Sequence, residues 1–463
     1  MAKNERIQVF EDYPIPKAVM TLSVPTVLAM LVSVIYSLAD TYFVGLLNDP
    51  VQTAAVSLAG PVLLATNAVN NLFGVGGSSM MSRALGSKDY KTLRASSAFG
   101  FYGSIACALV FGLLCTVFRG PLLGLLGADA LTAGYTSAYL NWPITLGAVP
   151  TILHIVLSYM IRSEGAALIA SIGTMSGCAL NVVLDPIFIM PWGLNMGVEG
   201  AALATLVSNC FSTCVFLGYL LKNRGKTMVC IDPKALKDVT RGTVLGVFGV
   251  GLPASIQNLL NVLATTALNQ TAAVYGAAAL AAMGICKKID MLPMYIALGI
   301  SQGVMPLLSY NYASKNHKRM RTAFFFTGGI SMVITVAGMA LMFFAPGAVV
   351  RLFIEDAETV AHGAVILRAS CLALPFLVAD FLCVGLFQAV GMGKESLILA
   401  ISRKLALELP LIYLLDHWFG LYGLPYSQVL AEVGVAAIAI VMLVRLLRRL
   451  SREAAEAAAS LPD

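Results

Sequence analysis

Between Lys17 and Leu47 the chain reads KAVMTLSVPTVLAMLVSVIYSLADTYFVGLL. No charged residue occurs from Ala18 to Ala39, and Asp40 then stands inside a run that stays apolar to Leu47. About 20 apolar residues cross the hydrocarbon core of a bilayer as a helix. A carboxylate inside such a helix is costly, so it is read as facing a cavity or a partner rather than lipid. The alternative is a helix that ends at Ala39 and leaves Asp40 wet, but TYFVGLL continues the apolar run. Pro25 interrupts the backbone ladder, which membrane helices tolerate.

The rest of the chain has the same character. Mean hydropathy is +0.83, and only 12% of residues are charged, against about 25% in soluble domains. Apolar segments follow one another at 18–48, 52–82, 93–118, 131–161, 166–190, 197–221, 241–271, 276–309, 321–350, 360–391, 396–416 and 421–447. The expectation is an all-α polytopic membrane protein with twelve transmembrane helices. The first 17 residues are polar and show no cleavable signal pattern. The nine cysteines form no C-x-x-C pair and are read as reduced, small apolar residues.

Charge placement gives a topology. Twenty-three of the 30 Lys and Arg residues, from Lys3 to Arg452, fall in segments on one side, while the opposite loops hold only Arg119 and Arg351. This bias puts both termini in the cytoplasm. It also accounts for the net charge of +6 without a nucleic-acid partner.

An internal repeat divides the chain. Ser87-Lys88 aligns with Ser314-Lys315, and Arg94 with Arg321, at an offset of 227 residues. Gly76 falls on Gly303 at the same offset, and Trp192 and Gly197 fall on Trp418 and Gly423 at 226. Two six-helix lobes related by a pseudo-two-fold axis along the membrane normal fit this pattern. The expected divisions are 1–221 for the N-lobe, 222–240 for a cytoplasmic linker, 241–450 for the C-lobe and 451–463 for a cytoplasmic tail. Such transporters hold substrate between lobes and alternate between inward and outward states.

Candidate site residues cluster by depth. Asn181 and Asp185 are four apart in the fifth segment and share a helix face. Thr205 lies about two turns into the sixth. The run from Lys17 to Asp40 is about 35 Å of helix, which puts Asp40 at a similar depth in the outer half. Two carboxylates with amide and hydroxyl oxygens suit a hard monovalent cation, and two close carboxylates also suit a proton. Taken singly, Asp185 also reads as a helix end before Pro186, and Asn181 or Thr205 as an ordinary interhelical hydrogen bond.

The second half carries Glu408 at the place of Asn181, together with Glu432, Asp290 near Lys287 and Lys288, and Asp380 ahead of Gln388. Lys287 and Asp290 also read as a satisfied pair. Asp380, whose basic helix-mate Arg368 is about three turns away, is the stronger candidate for a substrate or second proton site. Tyr36, Tyr139, Trp142 and Tyr295 are cavity-lining or packing aromatics. GVGGSS at 74–79 lacks the Gly-Lys-Ser/Thr of a phosphate loop, and no nucleophile triad or H-E-x-x-H is present. An enzyme is not expected, and neither is an ATP-driven pump.

ADTYFVG (39–45), SLAGP (57–61), GGSSMMSRALGSKD (76–89), NVVLDPIFI (181–189) and GVEGAALAT (197–205), with the duplicated layout, resemble the MATE (multidrug and toxic compound extrusion) family. The likeness covers nearly the whole chain and is nearest to the bacterial MepA-like branch. It implies cation-coupled efflux of cationic, aromatic drugs by alternating access. It implies a monovalent-cation site at Asp40, Asn181, Asp185 and Thr205, with the Ala201 carbonyl one turn earlier; sodium, if used, would bind there. It implies no cofactor beyond a sodium ion or proton, a monomer, and the bacterial inner membrane. Asp380 matches the family's helix-ten aspartate, whereas the seventh helix, LPASIQNLLNVLATTALNQ, lacks the acidic residue that NorM-like members carry. Asp380, Asp290, Gln388 and Tyr36 are kept as substrate or secondary proton residues. The rival reading is a lipid-linked saccharide flippase of the wider superfamily, which needs a basic cavity. Lys287, Lys288, Arg368, Arg403 and Lys404 leave room for one only in the C-lobe.

Overall fold

The computed structural model describes residues 5–47, 49–354 and 356–459; Lys3 of the charge count lies outside them. Among the described residues the secondary structure is helical throughout. The N-terminal half contains α1 (Glu5–Glu11), α2 (Ile15–Gly45), α3 (Pro50–Gly86), α4 (Tyr90–Val117), α5 (Arg119–Leu125), α6 (Thr132–Leu140), α7 (Ala148–Ser163), α8 (Ala167–Ile189) and α9 (Val198–Lys222). The C-terminal half contains α10 (Arg241–Ala273), α11 (Ala277–Ala313), α12 (His317–Phe344), α13 (Pro346–Arg351), α14 (Ala357–Ser370), α15 (Leu374–Val390), α16 (Gly393–Ile401), α17 (Leu409–Phe419) and α18 (Leu424–Ala459).

Among the described residues ten helical runs are long and apolar enough to cross a membrane, and α6 with α7 makes an eleventh, bent by 56°. The run Gly393–Glu453 is 61 residues long, about three times what one crossing needs. It is divided at Gly420, whose φ of +61° suits glycine, and α18 folds back along α17. Splitting it there gives the twelfth crossing. Exposed Leu113, Val333 and Leu341 face outward, as lipid contact requires.

The repeat is visible in the backbone. Helices α4 and α12 begin at Tyr90 and His317, and α5 and α13 at Arg119 and Pro346, both 227 apart. Lys88 and Lys315 adopt φ of 60° and 58°, a region non-glycine residues rarely occupy. The same strained turn therefore recurs in both halves.

Several boundaries differ from the hydropathy reading. The fourth crossing breaks through a π-helical stretch at Asn141–Leu146, where Pro143 lacks an amide donor and Thr151 donates to its carbonyl at 3.1 Å. The ninth ends at Phe344 rather than 350, because Pro346 starts a new short helix. The polar N-terminus forms α1, and the expected tail boundary at 451 falls inside α18.

The halves meet where α3 packs on α10 and α2 on α11. Small residues permit this. A Cβ on Gly76 would lie 2.3 Å from the Val247 carbonyl, and one on Gly303 would lie 2.8 Å from Ser23 Cα. Ser255 donates to the Ala68 carbonyl and Ser79 to that of Gln388, both at 2.5 Å. All these contacts lie in the helix halves nearest the two termini. At that end α1 bridges the lobes. Arg6 pairs with Glu164 of the N-terminal half. Phe10 stacks on Tyr310 with centroids 5.1 Å apart, and Arg319 donates to the Phe10 carbonyl at 2.7 Å. Burial pushes the Glu164 carboxyl above its ordinary range, with Arg6 pulling the other way.

Gly76→Val places branched carbons against backbone and is expected to destabilise the closed seam by about 1–3 kcal/mol. Spin labels at the exposed Ser87 and Ser314, in a background without native cysteines, should report a longer interlobe distance than in the parent. An unchanged distance distribution would show that the seam does not depend on this close approach.

Candidate cation site in the N-terminal lobe

Four helices place oxygen atoms together. On α2, Tyr36 and Asp40 are one turn apart; on α8, Asn181 and Asp185 are one turn apart; and on α9, Ala201 and Thr205 are one turn apart. Each pair therefore shares a helix face. Helix α8 packs against both α2 and α9, which joins the three faces. Tyr139 of α6 lies within electrostatic reach of Asp40, Tyr36 and Asp185.

Asp185 is fully buried and Asn181 is 2% exposed. With its amide nitrogen turned toward the carboxylate, Asn181 Nδ2 donates to Asp185 Oδ2 at 2.8 Å and to Oδ1 at 3.2 Å. Asn181 Oδ1 then accepts from the Thr205 amide at 3.1 Å. The opposite orientation sets a carbonyl against a carboxylate and leaves one contact of 3.4 Å to Thr205 Oγ1, so the first orientation is chemically sound. The Tyr36 hydroxyl reaches Thr205. Ala201 is fully buried one turn before Thr205.

Among the described residues neither Asp40 nor Asp185 makes a salt bridge, and Asp40 Oδ1 is buried without a donor. A buried charge without a partner is strongly unfavourable. The set therefore has an unmet need for positive charge, and its hard oxygen donors fit sodium or a proton.

The C-terminal candidates do not converge. Asp380 differs from the sequence expectation: it has a basic neighbour, Arg403, supplied by another helical segment. Arg403 Nη1 donates to Asp380 Oδ2 at 3.0 Å, and Arg403 Nε lies 2.7 Å from Glu432 Oε1. Gln388 lies eight residues further along α15, about 12 Å, and donates to Ser396 Oγ at 3.2 Å beside the seam. Asp290 lines a small cavity with Lys287, Ser370 and Gln428. Among the described residues Asp290 and Lys287 form no salt bridge, so they are not the closed pair weighed above. Tyr36 belongs to the N-lobe cluster rather than to this group. Of the five C-lobe bases, Arg403 and Lys404 are each paired with carboxylate, and Lys288 and Arg368 are exposed, which leaves Lys287 as the one base facing a cavity without a salt-bridged carboxylate among the described residues, too little for a pyrophosphate groove. Hydropathy missed the Arg403 pairing because it crosses between three segments; the one signal was four acidic residues accompanying the C-lobe bases.

Comparison with known proteins agrees with this architecture. The MatE family model matches residues 25–187 and 253–414. The "Multidrug export protein MepA" of Staphylococcus aureus is 34% identical over 430 residues, covering 93% of this chain and 94% of that one. The protein of the same description from Staphylococcus haemolyticus is 33% identical, covering 94% and 95%. A structure described as the outward-facing conformation of a multidrug resistance MATE family transporter of the MOP superfamily superposes with a TM-score of 0.89 at 27% identity, covering 98% of this chain and all of that one. A MATE crystal structure in complex with MaL6 gives 0.91 at 27% identity, covering 97% and 100%. Two six-helix halves, a matched family model over most of their length and full-length relatives together make this chain a member of the MATE family of multi-pass membrane transporters.

Proposed function

We propose that the protein is a secondary active exporter of cationic and aromatic small molecules, driven by exchange for sodium ions or protons. It works as a monomer in the bacterial plasma membrane, with both termini in the cytoplasm. The observation that carries this reading is the Asp40 and Asp185 pair beside Asn181 and Thr205: Asp185 is fully buried, Asp40 is half-buried with its Oδ1 enclosed, and neither has a basic partner among the described residues. The description of its staphylococcal relatives as multidrug export proteins supports the substrate class. The flippase alternative is not favoured, because Arg403 and Lys404 are already engaged by carboxylates.

The mechanism follows from where Asp40 sits. Helix α2 carries Asp40 toward one end and the seam residues Leu22 and Ser23 toward the other. Pro25, between them, removes one backbone hydrogen bond, so α2 can bend there. With cytoplasmic termini, a seam closed at the terminal end is the outward-facing state. A cation entering from outside neutralises the carboxylates and draws α2 toward α8. Substrate leaves because the two cargoes favour different lobe arrangements, and that differential affinity is the coupling.

In proteoliposomes, ethidium efflux should follow an imposed sodium or proton gradient. Asp40→Asn should lower the gradient-driven rate at least about tenfold, a change of about 1.4 kcal/mol. Full activity in that variant would refute the assignment, and absence of efflux under either gradient would favour the flippase reading. Thr205→Val keeps shape and removes one oxygen. It should weaken half-saturation by the coupling ion by about fivefold to thirtyfold, as loss of one ligand worth about 1–2 kcal/mol implies, with the melting temperature little changed. An unaltered ion dependence would remove Thr205 from the site.

A further inference from the structure

The C-terminal lobe repeats the frame of the cation cage but fills it differently. At the 227-residue offset, Asn181 corresponds to Glu408, and α9 corresponds to α18, which carries Glu432. Three buried carboxylates stand here: Asp380 at 1% exposure, Glu408 at 4% and Glu432 at 0%. Unlike the N-lobe pair, they are met by fixed positive charge. Arg403 bridges Asp380 and Glu432, and its guanidinium lies 5.2 Å from the Phe381 ring centroid. Lys404 pairs with Glu408.

The local backbone explains how both bases reach this pocket. Ser402–Glu408 is π-helical, ahead of Pro410. The wider turn brings residues five apart onto one face, so Arg403 and Glu408 point the same way while Lys404 still reaches Glu408. A guanidinium bridging two carboxylates buried in an apolar lobe occupies the position that a free cation would take.

We propose that Arg403 is a tethered internal cation that fills the C-lobe acidic pocket, so that this lobe takes no metal cation from solution and ion exchange is confined to the N-lobe. The proposal deepens the cation-exchange reading and rests on it. One negative charge is left over between Asp380 and Glu432. Asp380 Oδ1 and Glu432 Oε2 are buried and accept no hydrogen bond, so a single proton held on either acid balances the pair. Removing the guanidinium would leave two carboxylates and open a place for one further cation.

The test uses the full-length protein carrying Asp40→Asn and Asp185→Asn, which silences the N-lobe. Thermal unfolding is followed against sodium concentration at fixed pH, and against pH at fixed salt. With Arg403 intact, the sodium slope should be flat and no radiolabelled sodium should bind. Arg403→Gln in this background should steepen the sodium or pH slope by about one bound ion per chain. Arg403→Lys, which keeps the charge, should behave like the parent. Equal slopes for the Gln and Lys variants would overturn the proposal. If Arg403→Gln does not fold, sodium binding to the Arg403-containing parent still decides. About one sodium bound per chain, lost on adding Asp380→Asn, refutes a filled pocket, and no binding supports it. Failure of the N-lobe reading shows separately, as an unchanged ion response when Asp40→Asn alone is introduced.

Discussion

An ionised carboxylate in a low-dielectric interior must be neutralised by something, and the rest of this molecule is arranged around two answers to that requirement. In the C-lobe two of the three charges are met from within, by Arg403 between Asp380 and Glu432 and by Lys404 on Glu408. In the N-lobe, Asp40 and Asp185 receive no such partner among the described residues, only the amide of Asn181 and the oxygens around it. A group neutralised from within is structural. A group left short of charge responds to what the solution supplies, and on the proposed reading that difference makes the N-lobe the responsive half of an otherwise duplicated frame.

Response at one site matters only if it reaches the other lobe. Helix α2 connects the two, with Asp40 near one end and its seam with α11 near the other. The seam is narrow and made of backbone approaching backbone at Gly76, Gly251 and Gly303. Such contacts fit in one arrangement and are lost together when the lobes tilt, so the closed state is favoured as a unit. Helix α1 adds a polar strap across the same end, from Glu164 to Arg319. Both devices lie in the helix halves away from Asp40 and Asp185, and in the proposed mechanism a modest change in α2 biases a whole-lobe motion.

Much of the fold was legible in the chain because lipid imposes a simple code. Twelve apolar stretches, a one-sided distribution of Lys and Arg, and a 227-residue repeat follow from helical spans and duplication. The neighbourhood of Asp40, Asn181, Asp185 and Thr205 was legible for a related reason: Asn181 and Asp185 are four apart on one helix face, and topology sets Asp40 and Thr205 at the same depth, whereas Ala201 came only from the family resemblance and the place of Tyr36 beside Asp40 was not read. The Arg403 bridge was not, because three helices meet there and a π-helical turn sets the rotation of two of its members. The break in the fourth crossing was hidden because Trp142 and Ile144 keep the run apolar around Pro143. The early end of α12 was signalled by Ala345-Pro346-Gly347 but masked by the valines that follow. Helix α1 was missed because its stability comes from docking on Tyr310 and Arg319 rather than from its own sequence.

The central claim is that the N-lobe carboxylates exchange a cation in competition with substrate. The most direct measurement is equilibrium binding of ethidium to the purified protein, read by fluorescence polarisation while sodium and pH are varied separately. Ethidium affinity should fall as one of the two ions rises, and Asp185→Asn should abolish that dependence. Affinity that ignores both ions in the unsubstituted protein, or that keeps its ion dependence in the variant, would contradict the account.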